Sequence, residues 1–181
     1  MDDLAETHWK SLCLALPANG IAKTFKTEAD CLRRLVAVRF PTGVTCHACE
    51  SDRLSYLADR DFYYCKNCQC QFSARYGTVF ERSNLPLMKW FQCAEIAIKA
   101  HDAKKLSISF SINAVTMRLN VSRRTAIRLR KAVTKELLKE DGGILGQCIS
   151  DRKFDFPEAI EPGTQAHFSS LEDNVGRQKR F

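Results

Sequence analysis

Residues 46–68 read CHACESDRLSYLADRDFYYCKNC, two Cys-x-x-Cys pairs with fifteen residues between them. Two thiolates separated by two residues sit at the tip of one tight turn. A second such turn facing the first completes a tetrahedron of sulfurs about 2.3 Å from a metal ion. One pair alone would be weak evidence, but the doubled pair at hairpin spacing predicts a zinc ribbon with Cys46, Cys49, Cys65 and Cys68 as ligands of one structural Zn2+. With four thiolates bound no coordination position is left for chemistry, and the metal replaces a core that so short a ribbon cannot supply. His47 lies inside the first turn, where a side chain points away from the metal. Cys70 is two residues past a ligand on the strand segment QCQFS and is read as packing. Cys13, Cys31, Cys93 and Cys148 are isolated and read as small buried hydrophobes.

The rest of the chain bears out a small α+β organisation. A helix is predicted over 27–40, TEADCLRRLVAVRF, with Thr27 as N-cap, Asp30 three residues later, Cys31, Leu32, Leu35 and Val38 inward, and Pro41 with Gly43 ending it. Short β-type runs follow, LSYL, FYYC and TVF, divided by polar turns. Pro86 opens a helix reaching about His101, and the chain stays helical until Gly142 and Gly143. The expected units are an N-terminal helical segment (1–44), the ribbon of short β-hairpins (45–80), an all-α helix-turn-helix domain (84–140) and a loosely ordered tail (141–181).

Charge is concentrated. Of 181 residues with a net charge of +7, the segment 103–139 holds ten Lys and Arg against one Glu, a local +9. Nine cysteines are an odd number and too few for a secreted disulfide scaffold, so a reducing compartment is expected. No window approaches a membrane-spanning length of apolar residues, and the N-terminus lacks a basic region leading into an apolar run. The expected location is cytoplasmic, on the nucleoid, with no membrane partner.

Within the basic segment, SINAVTMRLNVSRRTAIRLRKAVTKELLK follows helix-turn-helix grammar. Ser111 caps a short helix burying Val115 and Leu119, Asn120 takes a left-handed break, Val121 plugs the turn and Ser122 caps the next helix. At about 100° per residue, Ala126, Leu129, Val133 and Leu137 share one face, while Arg124, Arg128, Lys131 and Lys135 share the opposite one. Solvated helix faces usually mix signs, whereas Glu136 is the lone acid between 123 and 139. Uncompensated like charges four apart point to a polyanion. Double-stranded DNA is the expected partner, with Arg123, Arg124 and Arg128 at base edges, Ser122 and Thr125 at the helix start, Thr125 reaching a phosphate or thymine methyl, and Lys131 and Lys135 on phosphates.

These residues resemble the N-terminal part of bacterial insertion-sequence transposases, which carry a zinc ribbon before a helix-turn-helix and a catalytic domain with three metal-binding carboxylates. The resemblance runs over roughly 24–138, through the two cysteine pairs, QFSARYGTVFE after the last ligand pair, PLMKW at the next helix start and the NVSRRTAIRLRKAV helix. It implies zinc at the four cysteines and recognition of transposon-end DNA. The first turn departs from the family's CPxCG, reading CHACE, which loses a glycine suited to positive φ. Asp151 falls near the place of a first catalytic carboxylate and is read as a solvated residue, with Asp155 and Glu158 too close to complete a three-carboxylate site. The expected function is therefore zinc-dependent, sequence-specific DNA binding without catalysis, as a transcriptional regulator or transposon-end binder. The alternatives are a transposase whose catalytic part lies elsewhere and a ribbon that docks on the transcription machinery. A homodimer is expected for a short two-fold operator.

Overall fold

The computed structural model describes residues 3–151 and 164–178. Three helices open it: α1 (Asp3–Ala15), α2 (Ile21–Thr24) and α3 (Glu28–Arg39). Thr27 caps α3 as its sequence predicts, its side chain accepting from the Asp30 N–H while the Asp30 carboxylate accepts from the Thr27 N–H. The ribbon is one antiparallel sheet in the order β1 (Leu54–Leu57), β2 (Phe62–Cys65), β3 (Gln71–Ser73), with Tyr56 opposite Tyr63 and Tyr63 opposite Phe72. Thr78, Val79 and Phe80, expected as a strand, form turns instead. Phe80 is fully buried and meets Trp90 edge to face, so its apolar character serves the helical core and not a sheet.

The helical body continues with α4 (Leu87–Asp102), α5 (Leu106–Ser109), α6 (Ile112–Leu119), α7 (Arg123–Leu137), α8 (Gly143–Ile149) and α9 (Gln165–Gln178). Helix α4 is the central pillar: Leu87, Phe91, Cys93, Ala94, Ala97 and Ile98 are almost completely buried, against α1, α2, α3, α6, α7 and α8. One continuous hydrophobic core runs from Trp9 through Leu35, Phe80, Phe91 and Val133 to Ile149. The ribbon has a separate small core of Cys46, Cys65 and Phe72, and Tyr63 touches both.

Residues 143–149, read as the start of a loose tail, are the buried helix α8, with Leu145, Cys148 and Ile149 in the core. Two distant charged residues hold it. The Glu136 carboxylate accepts from the Ile144 N–H at 3.0 Å, and Arg34 donates to the carbonyls of Gln147, Cys148 and Ser150 at the other end. Gly143 has φ of 61°, and a Cβ there would lie 2.5 Å from Glu136 Oε1, so glycine is required for this approach. Helix α9 packs on α1, with Leu171 buried and Lys10 Nζ donating to Glu172 at 3.0 Å. The remainder of the expected tail, including Asp155 and Glu158, lies outside the described residues. Among the described residues no helix is long and apolar enough to cross a membrane.

Candidate metal centre and cationic helix

Each ribbon turn is built in the same way. The Glu50 N–H donates to the Cys46 carbonyl at 2.8 Å and the Gln69 N–H to the Cys65 carbonyl at 2.9 Å, closing a loop around each cysteine pair. The first cysteine's own N–H then donates five residues on, Cys46 to Ser51 and Cys65 to Cys70, both at 2.9 Å. The residue after each pair is left-handed, Glu50 at φ 57° and Gln69 at φ 62°. The position that the CPxCG pattern fills with glycine is thus strained by a side chain in both turns.

The turns bring the sulfurs of Cys46, Cys49, Cys65 and Cys68 within 4.8 Å of one another. Cys46 Sγ lies 3.5 Å from Cys68 Sγ and Cys49 Sγ 3.6 Å from Cys65 Sγ. A regular tetrahedron with bonds of about 2.3 Å has edges of about 3.8 Å, so the four sulfurs fit one structural zinc ion. The Asn67 amide donates to Cys49 Sγ and with the Ser51 backbone lowers that thiol, towards the thiolate that a metal needs, while the neighbouring Cys68 is raised by its hydrogen bonds to the other sulfurs. Cys46 and Cys65 are buried while Cys68 is exposed, which leaves one side open for the ion to enter.

His47 is turned away from the sulfurs, stacked on Tyr76 at 4.4 Å with its Nε2 3.3 Å from Cys70 Sγ. Cys70 packs on the ribbon core. Cys31, Cys93 and Cys148 are completely buried, and burial pushes each thiol up to about 12, consistent with inert packing groups. Asp151 is exposed, and its N–H donates to the Ala15 carbonyl. Among the described residues the four cysteines form the one group of three or more His, Cys, Asp or Glu side chains close enough to hold a metal.

The motif after the last cysteine pair turns out to be a joint. Glu28 of α3 accepts from the backbone N–H groups of Leu87 and Met88, capping α4 from 59 residues away in sequence, and also from Arg75 Nη2 at 2.9 Å. Arg75 in turn donates to the carbonyls of Ser83 and Leu85. Arg39 donates to the Ala74 carbonyl at 2.7 Å. Sequence reasoning missed Glu28, because a cap supplied from another element leaves no local pattern.

The basic segment folds as its capping residues direct. Ser111 accepts from the Ala114 N–H and Ser122 from the Thr125 N–H, with Asn120 left-handed between α6 and α7 at φ 48° and ψ 60°. Ala126, Leu129, Val133 and Leu137 are buried, and Arg124, Arg128, Lys131 and Lys135 are exposed on the other side. None of these four forms an ion pair with an acid among the described residues. Glu136 does not offset them, being buried and turned to α8 and Lys139. Arg130 also leaves the stripe, its guanidinium 4.9 Å over the Phe110 ring. Exposed Arg123 donates to Asn113 Oδ1 across the turn, exposed Ser122 shares a hydrogen bond with half-buried Thr125, and Lys89 Nζ caps α6 at the Leu119 carbonyl.

Residues 26–71 match the family model for the transposase zinc-ribbon domain. A protein of Halobacterium salinarum described as an uncharacterized protein in transposable element ISH50 is 32% identical over 109 residues, 59% of this chain and 34% of that one. The aligned part thus spans about a third of the relative's length. No solved structure matches the chain at a significant level. The cysteine turns, their sulfur cluster and these two similarities agree on a zinc-ribbon domain over residues 26–71 similar to that of transposases.

Proposed function

We propose that the protein binds duplex DNA in a sequence-specific manner, with α7 as the reading helix of a helix-turn-helix and the ribbon as a zinc-held module beside it. The observation that carries this reading is the face of α7: four exposed cations without acidic partners, while the segment's one acid is buried on the other side. A helix presented this way suits the major groove, with Arg123, Arg124 and Arg128 near its entering end at base edges, Ser122 and Thr125 at its start, and Lys131 and Lys135 along the phosphates. Four cysteine ligands leave no open coordination position, so zinc has a structural role in this reading.

The target in this reading is transposon-end DNA, either as a regulator's operator or as the substrate of transposition, which the place of a relative in a transposable element supports. A second reading is favoured by the relative's greater length: this region would be the recognition part of a transposition machine whose catalytic groups lie elsewhere. Both need the same helix. Selection of bound sites from random duplex DNA tests the common claim. Wild-type protein is expected to enrich one motif and the Arg124→Ala/Arg128→Ala variant none; an unchanged motif in the variant overturns the assignment.

A further inference from the structure

Ile127 sits at the edge of the cationic face and is 45% exposed, although it is a β-branched apolar residue on a helix whose other large aliphatic side chains up to Leu137 are buried. It is not among the hydrophobic residues that pack on the helical core. At about 100° per residue it projects between Arg123, four residues before, and Lys131, four residues after, roughly 40° from each. Arg124 is three residues before it and Arg128 is next to it. An isoleucine surrounded by three or four cations gains nothing from water, and those cations exclude a cationic or plain apolar protein surface as its cover. They select a polyanion, and the apolar group that a DNA groove offers to a side chain is the C5-methyl of thymine.

We propose that Ile127 is a specificity-determining residue that contacts a thymine methyl group in the major groove, flanked by arginines that meet neighbouring base edges or phosphates. This rests on the DNA-binding reading of α7 and assigns to it one base. Sequence reasoning offered Thr125 as reaching a phosphate or a thymine methyl. We prefer Ile127 for the methyl contact because the Thr125 hydroxyl is engaged with Ser122 and its side chain is half-buried, whereas Ile127 is 45% exposed.

The test is a cycle of two changes with one readout. Duplexes enriched by the wild-type protein are remade with deoxyuridine in place of each thymine in turn, which removes the methyl alone and keeps every hydrogen bond. Affinity is then measured for the wild type, Ile127→Ala and Ile127→Val, all checked for zinc content and helical signal. Burial of one methyl corresponds to about a fourfold change in affinity. Wild type is expected to lose about fourfold at one thymine position, Ile127→Ala to bind the thymine duplex correspondingly less and show no further loss with deoxyuridine there, and Ile127→Val to keep most of the discrimination. Equal deoxyuridine sensitivity in wild type and Ile127→Ala, or none at any position, overturns the assignment while DNA binding stands. Absence of any enriched duplex overturns both.

Discussion

Withdrawing zinc should unfold the ribbon and leave the helical body standing. The two have separate cores. The ribbon buries Cys46, Cys65 and Phe72, and full burial of one phenylalanine contributes about 2–3 kcal/mol, whereas a structural zinc site of four thiolates contributes roughly 10 to 16 kcal/mol. The helical core extends from Trp9 to Ile149 and contains no zinc ligand. The joint belongs to the body: Ala74 and Phe80 lie in that core, and Glu28 ties Arg75 to the start of α4. The assay is an amide correlation spectrum of isotope-labelled protein before and after a high-affinity chelator, with Cys65→Ser as an independent route to the same state. Peaks of residues 44–73 should collapse to unfolded positions while those of α1, α3, α4, α7 and α8 persist, and the helical thermal transition should remain cooperative. Loss of the whole spectrum together with zinc would refute the division into two cores, and an unchanged ribbon after verified zinc removal would refute the metal's structural role.

Glu28→Gln, which weakens the cap on α4 and the Arg75 pair, should cost about 1–2 kcal/mol in urea unfolding without altering zinc content. Glu50→Gly relieves a left-handed residue in the first cysteine turn and should raise ribbon stability by about 1 kcal/mol, read as slower zinc loss to a competing chelator. If three or four of Arg124, Arg128, Lys131 and Lys135 neutralise phosphates, the logarithm of the duplex association constant should fall against log salt with a slope of about −3, doubling in a two-fold dimer, and a slope near zero would count against the cationic face.

How much the sequence discloses depends on whether a feature is local. The cysteine turns, the Thr27 capping box, Ser111, Asn120 and Ser122, and the two faces of α7 are all written within a few residues of where they act, and the structure places them as read. What escaped is long-range. Thr78, Val79 and Phe80 have strand-forming character, but Phe80 is drawn into the helical core against Trp90, which a local propensity cannot express. Helix α8 is seven residues with three glycines in or beside it, too short and too glycine-rich to read as helical, and it stands because Glu136 and Arg34 satisfy its ends. Glu136 looked like a lone acid amid cations, and its burial strengthens the charge argument. Ile127 passed unnoticed because its exposure is visible only once the opposite face of α7 has been packed.

The claim on which the functional reading stands is that α7 presents its free cationic face to duplex DNA. Titrating an enriched duplex into labelled, zinc-loaded protein and mapping the amide shifts tests it directly. Changes concentrated from Ser111 to Lys135, strongest around Arg124, Ile127 and Arg128, are the result this account predicts. Saturable binding that leaves those amides unmoved and shifts other residues instead would contradict it.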